Sequence, residues 1–357
     1  AADIISVVSH FVKLNRHNGA CCPFHNEKTP SFSVSAQKQI YKCFGCGAGG
    51  DVISFVMAHE NCDFVRAVEI IADLEGFALE LDPHFDQEAF QKQRAEKKSM
   101  REVLKDAHSR YRAQLLLPEN KAALEYLESR GYDREDMVYW GLGYAPNNMN
   151  FLARVYAKGG NLPEALSLGI CREKEGKTAY DMYIGRVIIP IQDEHGEIIA
   201  LAGRVLETGS KYAKYINGTA SPLYDKSKTL FGLYQAAKGI KETGFAILTE
   251  GYTDVMSMHK AGAANTVAAC GTAFTDDMAR LLKKYTRHVV LMRDADMAGE
   301  KAENNDLEVL LRHGFKVELL QMPTGQDPDN FAQEYFDTTI TIEEGHNQAS
   351  VEAMPAY

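Results

Sequence analysis

Three textures of apolar and polar positions follow one another along the chain. Near the start, "SFSVS" and "QIYKC" alternate at period two, as short strands of a hairpin do. "DVISFVMAHE" and "DFVRAVEIIADLEG" then carry apolar residues at helical spacing. Asp51 and Asp63 stand where N-caps belong, and Gly76 where a helix stops. Residues 82–99, "DPHFDQEAFQKQRAEKKS", hold few large apolar side chains and many charges, and read as a linker, partly helical. Helices are expected over 100–117 and 118–129, the second ending at Gly131, with a short helix and a strand in "RGYDREDMVYWGLGYAP". In "YIGRVIIPIQDEHGEIIALAGRV" two apolar strands flank the turn "DEHGE", with Arg186 and Arg204 at matched places near the hairpin ends.

From residue 243 the texture changes. "FAILTE", "NTVAA", "RHVVLMRD" and "KVELLQM" read as strands, separated by the helical stretches "YTDVMSMHKAG", "FTDDMARLLKKY" and "GEKAENNDLEVLLRHG". Short apolar strands alternating with helices predict an α/β region with a parallel sheet. Ligands of such sheets bind at the carboxyl ends of the strands.

The 357 residues, 45% hydrophobic and 25% charged, fit a soluble globular protein of two or three domains. No apolar stretch approaches the roughly 20 residues of a membrane span, and no signal-peptide pattern opens the chain. With an odd number of cysteines in a large chain, a cytoplasmic protein is expected. The chain does not begin with Met, as a processed chain or a fragment would not. Net charge is −10, which disfavours coating nucleic acid through bulk charge. The charge is uneven: Arg186 to Lys241 is net basic, and Asp327 to Tyr357 has acids but no Lys or Arg. A local basic surface therefore stays open.

Five of the seven cysteines fall within the first 62 residues. Cys22 and His25 have C-x2-H spacing, and Cys43 and Cys46 have C-x2-C spacing. Two such pairs bridged by a hairpin converge on one tetrahedral ion, and sulfur with imidazole suits zinc. A closed set of four leaves no open position, so the zinc is expected to be structural, as a module this small requires. Cys21 is the spare ligand, and Cys62 is expected to pack. Phe24, Phe32, Tyr41 and Phe44 lie among Lys28, Lys38 and Lys42. These rings fit either a single-stranded nucleic acid surface or the module's core.

Acids gather at the predicted strand ends. Glu250 closes the first strand, Asp294 and Asp296 the third, Asp327 and Asp329 follow the fourth, and Asp254 sits one turn into the helix after Glu250. Carboxylates crowded on one edge repel unless a cation neutralises them. All-oxygen ligands suit magnesium, which also takes substrate phosphates. Two such ions would activate a 3′-hydroxyl and steady a pyrophosphate leaving group. No P-loop glycine pattern is present, which disfavours an NTPase motor. Upstream, Lys211, Lys214, Lys226 and Lys228 stand with Tyr212, Tyr215 and Asn217, positions suited either to phosphates of a nucleotide or template or to a solvated rim.

Taken together, these segments resemble the bacterial-type replicative DNA primase family, phage relatives included. "CPFHNEKTPSFSV" with "YKCFGCGAGGDVISFV" is similar to its zinc-binding domain. "GRVIIPIQDEHGEIIALAGRVL" and "KYINGTASPLYDKSKTLFGLY" resemble the first part of its RNA polymerase domain. "EGYTDVMSMHKAG", "ACGTAFTDD", "RDADMAG" and "GQDPDNF" resemble its toprim fold, a Rossmann-like metal-binding sheet. The resemblance implies a zinc ribbon with helices over 1–81, a linker over 82–99 and a polymerase N-terminal subdomain over 100–242. A toprim subdomain over 243–326 follows, then the start of a helical subdomain and an acidic tail over 327–357.

The implied reaction is template-directed joining of NTPs into short RNA primers on single-stranded DNA. Catalytic Mg2+ or Mn2+ would sit on Glu250, Asp294 and Asp296, helped by Asp254, Asp327 and Asp329. Arg186, Arg204, Lys214, Tyr215, Asn217, Lys226 and Lys228 fall in segments that face nucleotide or template. The replicative helicase is a family partner whose docking domain has no counterpart in this sequence, and single-strand binding protein is a further implied partner. Two positions depart from the family pattern, in which a small or aromatic residue precedes D-G-D: here Arg293 precedes the pair and Ala295 replaces the glycine. The alternatives are a toprim DNA-cleaving enzyme of the nuclease or topoisomerase kind and a non-catalytic nucleic-acid-binding relative.

Overall fold

The structure is a computed structural model that describes residues 2–60, 62, 64–77, 87–206, 212–269, 271–292, 297–320, 327–334, 338–341 and 350–353. The chain divides into two compact units, Ala1–Gln87 and Glu88–Tyr357.

In the first unit, four short antiparallel strands lie side by side in sequence order: Gly19–Ala20, Phe32–Ser35, Ile40–Cys43 and Gly49–Gly50. The period-two pattern sets the burial. Phe32 and Val34 on one strand, and Tyr41 and Cys43 on the next, point inward together. Helices Ile4–Phe11, Val52–His59 and Phe64–Glu75 supply Ile4, Val7, Val8, Phe55, Val56 and Ile71 to the same core. Asp51 caps the second helix as its position predicts, accepting from the Ser54 N–H at 2.8 Å. Asp63 lies outside the described residues.

The four rings of this unit have separated. Phe24 packs against Phe32, Tyr41 and Phe55, and the last three are buried. Phe44 alone of the four stands in solvent, 78% exposed. The core reading holds for three rings, and Phe44 is the one ring left exposed.

The second unit begins with one long helix, Gln87–Leu115. It starts well inside the segment read as linker, and residues 87–99 continue it without a break. Its later turns bury Val103, Leu104, Ala107, Tyr111 and Leu115 at helical spacing. An antiparallel sheet follows, in the order Tyr215–Ile216, Ile198–Val205, Arg186–Gln192, Gly143–Ala145. Its two central strands are buried along almost their whole length. Ile188, Ile189 and Ile191 each contribute about 1.5–3 kcal/mol of burial.

The parallel sheet expected after residue 243 is present. Its order is Thr266–Ala268, Ala246–Thr249, His288–Met292, Lys316–Leu320, with every neighbouring pair parallel. Helices Leu233–Thr243, Tyr252–Lys260, Asp276–Leu282 and Met297–Arg312 alternate with the strands. Helix Pro328–Glu334 packs on Tyr252–Lys260. In the acidic tail, Thr338–Thr341 and Ser350–Ala353 pair as an antiparallel hairpin. No described helix is long and apolar enough to cross a membrane.

Candidate functional site

The zinc-spaced residues converge. One ligand atom from each of Cys22, His25, Cys43 and Cys46 lies within 4.8 Å of all the others. A tetrahedral zinc with Zn–S bonds of about 2.3 Å separates its sulfurs by about 3.8 Å; Cys22 Sγ and Cys46 Sγ are 3.8 Å apart. His25 Nδ1 is also 3.8 Å from Cys43 Sγ. Each pair sits on a turn whose backbone donates back to sulfur: Phe24 N–H to Cys22 Sγ at 3.4 Å and Cys46 N–H to Cys43 Sγ at 3.3 Å. Gly47 takes the left-handed backbone, φ +80°, that closes the second turn.

Burial pushes the Cys22 thiol up to about 11. Burial acts the same way on Cys43, but its contacts with the Ser31 hydroxyl and the Cys46 N–H bring it down to about 6. Cysteine ligates as the thiolate, so a bound cation would favour deprotonation across the set. Cys21 is exposed and outside the group. A Cys3His zinc-binding cluster is therefore in place.

At the carboxyl edge of the parallel sheet, Glu250 leaves strand Ala246–Thr249 half-buried. Asp254 enters the first turn of the next helix and accepts the Gly251 N–H at 2.7 Å. The residue is 8% exposed. Its carboxyl is raised to about 6, first by burial and then by the charges of Asp327 and Glu250, against the pull of the Gly251 N–H and Lys214. Three acids from three segments thus share one field, with Lys214 beside them. Mutual repulsion of this kind is relieved by a cation, and an all-oxygen donor set fits magnesium or manganese.

Asp294 and Asp296 lie outside the described residues, as do Arg293, Ala295, Lys211 and Cys270. The strand that leads to them, His288–Met292, neighbours Ala246–Thr249, with Leu248 opposite Leu291.

The acids after the fourth strand have different surroundings. Asp327 accepts the Asn330 N–H at 2.7 Å, starting helix Pro328–Glu334. Asp329, 3% exposed, is held on both oxygens. Ser257 Oγ donates to Oδ1 at 2.6 Å, and Arg130 pairs with Oδ2. Ser257 also meets the Tyr132 hydroxyl at 2.9 Å.

The two arginines of the hairpin are not at matched places. Gln192 faces Ile198 beside the turn, a register that would set Arg186 opposite Arg204 if it continued. The register shifts by one between Ile191 and Gln192, so Arg186 faces Val205 and Arg204 faces Val187. One step of register reverses the face. Arg204 is buried, with Nε donating to the Tyr126 hydroxyl at 2.6 Å and Nη1 to Thr253 Oγ1 at 3.2 Å. Its guanidinium lies 5.2 Å from the centre of the Tyr215 ring.

Arg186, on the other face and 5% exposed, donates to the carbonyls of Gly203 at 3.1 Å and Lys214 at 3.4 Å. It lines a pocket of about 470 Å³ with Tyr144, Asn147, Met182, Tyr212 and Ile216. Asn217 accepts from the Tyr252 hydroxyl at 3.2 Å. Lys214, Lys226 and Lys228 are exposed, and Lys228 pairs with Asp225 at 3.4 Å.

Sequence reasoning passed over Tyr126, Arg130, Thr253 and, in the zinc module, Glu27. Their partners are remote or non-periodic, apart from Glu27, which lies two residues past a ligand.

The same segments match known families. Residues 1–87 match a CHC2 zinc finger, residues 110–237 the N-terminal domain of the DNA primase catalytic core, and residues 247–332 a Toprim-like domain. The chain is 37% identical over 344 residues to the DNA primase of Halalkalibacterium halodurans, covering 94% of this chain and 56% of that protein. Among solved structures, the crystal structure of the Aquifex aeolicus primase, zinc binding and RNA polymerase domains, matches with TM-score 0.62 and 36% identity over 94% of this chain and 80% of that one. The DnaG primase catalytic domain bound to ssDNA matches with TM-score 0.63 and 28% identity, over 67% of this chain and 76% of that one. The chain spans little more than half the length of the full-length relative, 56%. With a zinc cluster, a primase core and a toprim-like sheet in that order, the chain belongs to the bacterial-type, DnaG-like DNA primase family.

Proposed function

We propose that this chain makes short RNA primers from NTPs on single-stranded DNA. The observation that carries the reading is the shared field of Glu250, Asp254 and Asp327 at the carboxyl edge of the parallel sheet, with Lys214 beside them. In the proposal Glu250, Asp294 and Asp296 are the main ligands of Mg2+ or Mn2+, with Asp254 and Asp327 around them. Bound there, the metal would supply charge for the triphosphate and acidify the attacking 3′-hydroxyl.

The chain's own residues bind and orient. Lys214 is exposed next to the acids, where a triphosphate needs a cation. Lys226 and Lys228 extend that basic surface. Arg204 sits behind it, fixing Tyr215 and Thr253 rather than meeting solvent. Arg186 gives a 470 Å³ pocket of mostly apolar and aromatic walls one buried positive group, a combination suited to a template base and its phosphate. In the zinc module, Ile40, Lys42 and Phe44 alternate on the exposed side of their strand and its turn, and this face would meet template.

The test is synthesis from labelled NTPs on a single-stranded template, with and without magnesium. Short RNA that depends on metal and is lost in Asp294→Ala supports the proposal. Nicked DNA without RNA would replace it with a DNA-cleaving toprim enzyme.

A further inference from the structure

The carboxylate of Glu27 touches three of the parts that shape the zinc cluster. Its Oε1 accepts the N–H of Cys22 at 2.6 Å and that of Ser31 at 3.1 Å. Its Oε2 accepts the Ser31 hydroxyl at 2.6 Å and lies 3.2 Å from His25 Nε2. Ser31 Oγ in turn is 3.2 Å from Cys43 Sγ. One side chain, 11% exposed, thus reaches the backbone of the first ligand, the ring of the second and, through Ser31, the sulfur of the third.

The ring orientation matters most. His25 turns Nδ1 toward Cys43 Sγ and Nε2 toward Glu27. An imidazole ligates through a nitrogen that carries no proton, so the other nitrogen must carry it and needs an acceptor. Glu27 is that acceptor. Gly45 gives independent support: a Cβ there would fall 2.8 Å from His25 Nε2 and 2.9 Å from Ser31 Oγ. The second ligand turn passes so close to this contact that a side chain would displace it.

We infer that Glu27 is a positioning residue of the zinc site, fixing the His25 tautomer and, with Ser31, the placement of the Cys43 sulfur. The inference concerns the metal cluster alone and stands apart from the polymerase proposal. It is tested on the full chain by zinc competition against a chromophoric chelator and by the visible spectrum of the cobalt-loaded protein. Losing a partner of this kind typically costs about 10–100-fold in metal affinity.

Glu27→Ala is expected to weaken zinc binding by that factor and to shift the tetrahedral cobalt bands, while zinc-loaded circular dichroism stays unchanged. Glu27→Gln keeps an oxygen for the N–H groups and is expected to fall between. Ser31→Ala, a smaller change, is expected to alter the cobalt bands with a lesser loss of affinity. If Glu27→Ala fails to fold, Glu27→Gln and Ser31→Ala decide the matter. Wild-type affinity and wild-type cobalt spectra in the folded variants would overturn the inference. Neither readout requires primer synthesis, so failure here and failure of the polymerase proposal are told apart.

Discussion

Arg130 and Asp329, 199 residues apart, form an ion pair that fastens helix Pro328–Glu334 to the end of helix Lys121–Ser129 within the second unit. Asp329 is buried and further held by Ser257 on helix Tyr252–Lys260. Lys260 at the end of that helix pairs with Asp133 at 3.0 Å and with Asp136. Residues 130–136 therefore grip the helix that carries Asp254, and also the helix that Asp327 caps.

Removing the arginine alone is expected to be costly. Arg130→Ala leaves a buried carboxylate without its cation, a loss of about 3 kcal/mol, the low end for buried pairs because the Arg130 side chain is 27% exposed. Urea titration of the folded chain measures it. The double variant R130A/D329A should be less destabilised than R130A, since no stranded charge remains. A double variant as unstable as the sum of the singles would mean that the two side chains act independently.

Stability should also depend on pH through His259. This imidazole donates Nε2–H to the Thr266 carbonyl at 2.9 Å and lies 5.0 Å, edge-on, from Trp140. Burial lowers it to about 4 from an ordinary value of 6.5. Between those two values the unfolded chain carries a proton that the folded chain refuses. Stability from this group is therefore complete above about pH 6.5 and falls as pH drops toward 4, by a total on the order of 3 kcal/mol. His259→Gln, which still donates to Thr266, should flatten the slope of Tm against pH over that window. An unchanged slope would assign the pH dependence to other groups.

The elements that could be read from sequence are those whose cause is local. The zinc ligands sit in pairs three residues apart, and their strands alternate in burial as written. The two central strands of the parallel sheet, Ala246–Thr249 and His288–Met292, are nearly continuous apolar runs because helices cover the sheet. What escaped depends on distant partners or on a single irregular step. The faces of Arg186 and Arg204 turn on one extra residue, Ile199, opposite the Ile191–Gln192 step, invisible in a run of buried aliphatic residues. The first turns of helix Gln87–Leu115 are charged on all sides, so no apolar stripe announced them. Arg130 carries no pattern at all, since its partner lies near the other end of the chain.

Zinc removal should act on one unit only. In the first unit, two of the four strands are two residues long, and Cys22 and Cys43 are themselves core residues. A module with so little sheet depends on its metal to fold. The second unit has its own cores in both sheets. Chelation is therefore expected to expose residues 1–87 to hydrogen exchange and protease while the unit from Glu88 keeps its protection. Loss of protection across both units would show that the second depends on the first.

Phe44 is expected to contribute to template binding without contributing to stability. It lies between two ligands, Cys43 and Cys46, with its N–H fixed on the Ser31 carbonyl at 2.9 Å, so the exposed ring is presented from a rigid turn. Lys42, one step back on the strand, donates to the Gly47 carbonyl at 2.7 Å and brings positive charge beside the turn. A ring held in solvent next to a cation is a stacking platform for a base, worth about 1–3 kcal/mol. Phe44→Ala should weaken binding of a single-stranded oligodeoxynucleotide by roughly thirtyfold, the middle of that range. Zinc content and Tm should not change, because the side chain is already 78% exposed. Fluorescence anisotropy at fixed salt checks the affinity. If the variant binds as tightly as the parent, the outer face of the ribbon is not where the template stacks, and the Arg186 pocket is left as the binding surface to mutate next.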